Sequence, residues 1–597
     1  MISSSVRFPV TASRPLASRN WPSRRPVHPK ATAGGPLASP HDTRPGRSRW
    51  TRLAAAIAAL TLTAAACGGD DDDDAATEDA ATGTDDGGTA ATTPGGDESV
   101  SSTPADGSAT EGTEGGGEAP AASGGTLRYA YPIGPSRFDP HRSTVGQDIR
   151  IFTLVYERLV HYDESGTLVP GLAKSWEFSD DGLQLTLQLQ EGVTFQDGTP
   201  FDANAVKANI ERGKTVEGSA VVADLASISE IQVVDPMTVV LVLSQPDSAL
   251  PGILSSRAGA MISPAAFENP DLDLNPVGAG PYRVTQYSPD DLIVFEKYED
   301  YWDRSYGGPD RVEWDIIADE TTRLNALRAG EADAALITGA QQQDAELAGF
   351  TVDPRPTLSY QTLYLNRSQP ELAKLEVRQA ISHAIDRDAF VETVLSGAGA
   401  PTVQDFPEGY YAHNPDYPAD FYAYDPEKAK ELLAEAGVPD GFEIEMLVPN
   451  LSTFQLGAQV LQQMLAEVGI TTTLRQIDAA SAGDIMFAQD ASDTMIAQFG
   501  GRSDPQITMD LQYTPDGFLN AGDQTTDKYI DLSAAAKAAR DPDEREAALQ
   551  TMEGEVVEQA FTIPLAHDFN INAYSEQVQG FNLLAGGEMD FREMAVE

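Results

Sequence analysis

Residues 156–205 read YERLVHYDESGTLVPGLAKSWEFSDDGLQLTLQLQEGVTFQDGTPFDANA. Within them Leu183, Leu185, Leu187 and Leu189 alternate with Gln184, Thr186, Gln188 and Gln190. A period of two sends the leucines to one face and the polar groups to the other, so the spacing predicts a half-buried strand. Ser179-Asp180-Asp181-Gly182 precedes it. Asp side chains accept from nearby backbone N–H groups and Gly takes positive φ, so these adjacent acids read as a turn and not as a catalytic pair.

The same two periods recur outward from this stretch. TVVLVL at 238–243 and TLRYA at 126–130 predict further strands. Asp425 caps and Pro426 opens a helix with Ala429, Leu432, Leu433 and Ala436 on one face, closed by Gly437. Val377, Ala380, Ile381, Ala384 and Ile385 mark a second apolar face, and Leu456, Val460, Met464 and Val468 a third. Strands and helices mix throughout, which predicts an α/β or α+β chain. No internal repeat is visible. At 597 residues the chain exceeds what one core supports, so at least two lobes are expected.

The first 66 residues hold ten Lys/Arg against one acid, Asp42, although the whole chain stands at −52. Residues 53–66 (LAAAIAALTLTAAA) are uncharged and follow Arg47, Arg49 and Arg52. This is a signal-peptide pattern behind a long basic leader, and it falls short of the ~20 apolar residues of a membrane span. Ala64-Ala65-Ala66-Cys67-Gly68 resembles a bacterial lipobox, with Ala64 where Leu is usual, and Cys67 is the only cysteine. The resemblance implies lipidation of Cys67 and a membrane-anchored, extracytoplasmic protein. Residues 68–123 carry fifteen acids, no Lys or Arg, and Val100 as the one large apolar residue. Such a stretch cannot bury enough to offset chain entropy, and 67–123 is expected to be a disordered acidic tether spanning roughly 40 Å. Its run Asp70–Asp74 lacks the glycine-shaped spacing of a calcium loop.

The acidity leaves no basic patch for nucleic acid. One Cys excludes an intrachain disulfide, and seven His leave little for a metal cluster. Neither a Gly-Xaa-Ser-Xaa-Gly elbow, a His-Glu-Xaa-Xaa-His pair nor a phosphate loop is present. No catalytic residue and no cofactor is therefore expected.

The opening stretch resembles the start of the substrate-binding proteins of peptide/nickel-type ABC importers, solute-binding family 5. Further matches follow in the family's order: PVGAGPY at 276–282, YEDYWD at 298–303, RLNALRAGEAD at 323–333, VRQAISHAIDRD at 377–388, YDPEKAKELLAEAG at 424–437, LAEVGI at 465–470 and IPL at 563–565. The resemblance implies a two-lobed periplasmic-binding-protein-like α/β fold (type II, cluster C) with an extra subdomain in lobe I. Lobe I is expected from 124–156 with 281–360 and 565–597, its inserted subdomain from 157–280, and lobe II from 361–564. The chain would cross near 358–365 and return near 561–570. A receptor of this kind captures a peptide, opine, oligosaccharide or chelate in an interlobe cleft, acts as a monomer and delivers its load to permease subunits. A sensor or enzyme module on the same fold is the alternative, separable because a receptor leaves its ligand unchanged.

The resemblance also implies that 496–505 (IAQFGGRSDP) enters the cleft. There Phe499 offers an aromatic wall or a strand-end core residue. Gly500 and Gly501 allow close backbone approach or form a plain turn, and Arg502 meets a ligand anion or points to solvent. Peptide-binding branches carry an Asp where this chain has Gly501, so simple free-amine peptides are expected to be poor ligands. Better ones present a carboxylate, a phosphate or a polyhydroxyl group to Arg502, or place their amine on a different carboxylate, such as Asp478. Phe138 and Asp139 match an early cleft-lining segment. Tyr410 belongs to an aromatic loop with Phe406, Tyr411 and His413 that faces ligand or packs beneath the loop. His567 is placed to hydrogen-bond across the hinge.

Overall fold

In the computed structural model, which describes residues 124–597 apart from Ser503, the first strand is Thr126–Tyr131. The signal segment, Cys67 and the tether lie outside the described residues. Leu127, Tyr129 and Tyr131 are buried beside Trp314 and Phe295 in one core. The strand pairs in parallel with Arg311–Ile316 on one side and Ala334–Ile337 on the other.

These strands belong to one eleven-stranded sheet. Its ten-strand path runs Ile470–Ile477, Phe442–Pro449, Thr494–Phe499, Thr351–Leu365, Thr562–Tyr574, Ala334–Ile337, Thr126–Tyr131, Arg311–Ile316, Leu292–Lys297, Tyr282–Ser288. Gly399–Pro401 joins at the side of Thr562–Tyr574. Thr351–Leu365 and Thr562–Tyr574 are its longest members, at 15 and 13 residues, and run antiparallel to each other. At ~3.3 Å per residue the longer spans about 50 Å, enough to serve two cores. One end of the return strand pairs with Ala334–Ile337 beside the first core. The other end of the crossing strand pairs with Thr494–Phe499 beside a second core of Phe390, Ile444, Met446, Leu461 and Ile496. The ladder between the long strands slips between Pro356 and Tyr360, and again after Gln361.

A separate antiparallel sheet, Ala173–Phe178, Gln184–Leu189, Thr238–Leu243 and Ile228–Asp235, has its own core. Leu185, Leu187 and Leu189 enter that core as the alternation predicts, and the residues between them stay at least partly exposed. The turn before them is also as read: Gly182 N–H donates to Ser179 O at 2.8 Å, and Asp181 accepts from Leu183 N–H.

Helix Pro426–Glu435 begins at the expected cap, with Asp425 accepting from Lys428 N–H. Helix Ser452–Glu467 departs from the expected face. Its buried stripe is Phe454, Gly457, Ala458, Leu461 and Leu465, whereas Leu456 is exposed. Gly457 decides the orientation: a Cβ there would meet Ile496 Cδ1 at 2.7 Å, so the helix lies closest to the sheet at its one residue without a side chain. The helix over Val377–Ile381 ends at His383, before Ile385.

Candidate ligand-binding site

Strand Thr494–Phe499 ends in a loop whose backbone only glycine permits. Gly501 has φ +67°, and a Cβ on it would come within 2.5 Å of Leu358 Cβ on the crossing strand. Gly500 is exposed beside it. Asp504 then caps helix Pro505–Tyr513 through Gln506 N–H at 2.9 Å, with Pro505 in its first turn. The loop is thus pinned at both ends, and Arg502 stands between.

The Arg502 guanidinium lies 5.9 Å from the Phe499 ring centroid and makes no hydrogen bond or ion pair among the described residues. Phe499 is buried and packs against Tyr360, its register partner on the crossing strand, at 5.7 Å. Burial lowers the Arg502 pKa, with Asp224 and Tyr364 acting the other way. Arg257 is a second cation in the same field: burial, then Arg502, lowers its pKa, and its Nη1 donates to Ser143 O at 2.6 Å. Asp224 keeps contact with water, yet crowding by neighbouring atoms raises its carboxyl against the pull of both arginines. Asp148 also acts on Arg257, so the two guanidinium groups stand in a field with two carboxylates. Arg502 keeps guanidinium donors without a hydrogen-bond partner among the described residues, and these are available to an incoming anion.

At the end of the loop, residues 248–252 touch Asp504 and Arg545 directly. Arg545 grips both oxygens of Asp504, at 2.7 and 2.9 Å, and donates from Nε to Ser248 Oγ at 3.1 Å. Ser248 Oγ donates to Ala536 O, and a Cβ on Gly252 would reach Asp504 Oδ2 at 2.5 Å. Burial opposes the Arg545 charge, but Asp504 outweighs it and holds the guanidinium protonated. Nearby, Tyr411 N–H donates to Ser165 O at 3.0 Å, and Tyr410 packs against Gly166.

The other expected site residues are dispersed. Phe138 is fully buried, edge-on to Tyr287 at 5.2 Å. Asp139 is buried and held by Arg212 through both oxygens, at 3.0 and 2.7 Å. Both serve the first core and the ties around it. Tyr410 stacks on Phe406 and sits in the seam just described. Asp478 is exposed and caps helix Ala479–Gly483 through Ala480 N–H. His567 Nδ1 meets Thr357 O on the crossing strand at 3.1 Å, and burial lowers its pKa to about 4. Phe499, Gly500, Gly501 and Arg502 are thus the expected residues that the fold brings together. Asp224 and Arg257 join them from a segment that sequence spacing does not connect to the loop.

Residues 167–520 match the family described as "Bacterial extracellular solute-binding proteins, family 5 Middle". The chain belongs to this family. It is 31% identical over 443 residues to the glutathione-binding protein GsiB of Salmonella paratyphi A, covering 71% of this chain and 86% of that one. Among solved structures it is similar to HbpA2 from Haemophilus parasuis, with a TM-score of 0.72, 26% identity and coverage of 79% of this chain and 100% of that chain. It is also similar to AgaA of A. tumefaciens R10 in complex with agropinic acid, with a TM-score of 0.64, 27% identity and coverage of 79% and 99%. The fold is the two-lobed type II arrangement of this family. The protein is an extracytoplasmic solute receptor of an ABC importer and binds its solute without catalysing a reaction on it. No helix among the described residues is long and apolar enough to cross a membrane.

Proposed function

We propose that the receptor captures a peptide or a similarly small polar solute whose carboxylate is taken by Arg502, with Arg257 as the second cation. Phe499 forms an apolar wall, and Gly500 and Gly501 bring the backbone close to the ligand. The observation that carries this reading is a guanidinium beside the Phe499 ring that has no hydrogen-bonding or ion-pair partner among the described residues. Glutathione and agropinic acid, named for two relatives, both carry carboxylates, which fits such a site. Opines and carboxylate chelates fall within the same solute class, and a neutral oligosaccharide falls outside it.

Lobe I is read as 124–156 with 281–360 and 565–597, its subdomain as 157–280, and lobe II as 361–564. The register slips between the long strands supply the compliance for hinge closure between them. Cys67 is the proposed lipid anchor of a monomeric receptor, tethered to the membrane by 67–123. Mass spectrometry of the solute that co-purifies from native cells tests the ligand class directly. A carboxylate-bearing small solute is expected, and a purely neutral one overturns the reading. Cys67→Ala should release the protein or leave its precursor uncleaved, and unchanged membrane retention with normal processing would refute the anchor.

A further inference from the structure

Asp568 lies on the return strand Thr562–Tyr574, at the step where that strand leaves Ala334–Ile337 and takes up Gly399–Pro401 as a neighbour. Its Oδ1 accepts from Gln361 Nε2 at 2.8 Å, and its Oδ2 from Gln498 Nε2 at 2.7 Å. Three neighbouring strands thus give one side chain each: the return strand, the crossing strand, and the strand that leads into the cleft loop. Two neutral amides leave the carboxylate's charge uncompensated, and no Lys, Arg or His pairs with it among the described residues. Burial pushes the Asp568 carboxyl up to about 6, against the two amide hydrogen bonds.

Gln361 adds a second, independent sign. It is only 4% exposed, and its Oε1 has no hydrogen-bond donor among the described residues. A buried acceptor left without a donor is a standing cost that a ligand can remove. The carboxylate keeps spare lone pairs and the Gln361 amide oxygen has no donor among the described residues, so both groups offer acceptors. A primary ammonium carries three donors and one positive charge, which answers both deficits at once.

We infer that Asp568 and Gln361 form an ammonium site for the ligand's free amine, at the junction of the two long strands. The inference rests on the solute-binding reading above and narrows it. The ligand carries a cation as well as the anion taken by Arg502, which makes it a zwitterion such as an unblocked peptide or an amino-acid conjugate. Gln498 lies one residue before Phe499 and four before Arg502, and on the pleated strand its side chain points to the face opposite Phe499. Asp478, the alternative acid, caps a helix at an exposed position.

Calorimetry on the full-length protein tests the site with reduced glutathione, the dipeptide Met-Leu and a tetrapeptide, each with a free and an N-acetylated amine. Wild type should prefer the free amine by about tenfold or more. Asp568→Asn should abolish that preference while leaving the acetylated forms within about twofold. Gln361→Lys supplies an ammonium from the chain itself and should also abolish it, which keeps the test decisive should Asp568→Asn fold poorly. Equal binding of both forms by wild type, or a retained preference in either folded variant, overturns the ammonium site and leaves the Arg502 reading standing. Failure of every probe to bind in either form overturns the peptide reading and this site together.

Discussion

Arg545 and Arg502 both sit beside the same loop, and their surroundings differ in one respect. Arg545 spends its donors on Asp504, Ser248 and Tyr411, all within the protein. Arg502 has a ring face beneath it and another arginine in its field. The first arrangement closes a seam: a buried charge is matched by an acid that also caps a helix, against a glycine that lets the two surfaces meet. The second is left open at the donor atoms. The contrast separates an arginine whose donors are used up in holding the fold from a half-buried one whose donors are left over.

Breaking the seam should produce the largest effect. Asp504→Ala leaves Arg545 buried and unpaired, and should cost about 3–5 kcal/mol in denaturant unfolding. Arg502→Ala should leave unfolding stability unchanged or slightly raised, because it removes repulsion with Arg257. Equal destabilisation by the two substitutions would erase the distinction. On affinity the order reverses: Arg502→Ala should weaken carboxylate ligands by about 1.5–3 kcal/mol, the range for a charged hydrogen bond. Gly501→Ala should follow, losing about 1–3 kcal/mol of stability to its positive φ and its contact with Leu358, and moving Arg502 with it. Affinity and stability should therefore fall together in that variant, unlike in Arg502→Ala.

The smallest effect is a pH dependence. The Asp568 carboxyl sits near about 6 in the fold, against 3.8 ordinarily. The folded state holds this proton more tightly, so the group favours folding below its unfolded value. That advantage is lost as pH rises from about 4 through 6. Between pH 4 and 7 the ligand-free wild type should therefore lose about 1–2 kcal/mol relative to Asp568→Asn, allowing for partial solvent screening. Parallel curves for the two proteins in urea titrations would contradict it.

What the sequence discloses follows the range of the interaction. The leucine alternation over 185–189, the Ser-Asp-Asp-Gly turn and the Asp425–Pro426 cap depend on neighbours within a few residues, and each is found as read, whereas Leu183 stands before the strand and is half-buried. Helix Ser452–Glu467 was legible as a helix but not in its facing, because Leu456, Val460, Met464 and Val468 satisfy the same period as the buried stripe. The choice was made by Gly457 against Ile496, about forty residues away. The loop proposed to meet ligand could be located, since Phe499-Gly500-Gly501-Arg502 is contiguous. Its companions could not: Arg257 stands about 245 residues from Arg502, and Gln361 about 207 from Asp568. His567 was singled out for the return strand, one residue short of the acid that faces Gln361 and Gln498.

The most direct test of the account is a double-mutant cycle that pairs Arg502→Ala with removal of the ligand's carboxylate. Calorimetry would compare a peptide acid with its C-terminal amide on wild type and variant. If Arg502 holds the carboxylate, the acid should be favoured over the amide by about tenfold or more on wild type and bound equally with the amide on Arg502→Ala, a coupling of about 1.5–3 kcal/mol. Additive effects, with the acid still preferred by the variant to the same degree, would show that the carboxylate is held elsewhere.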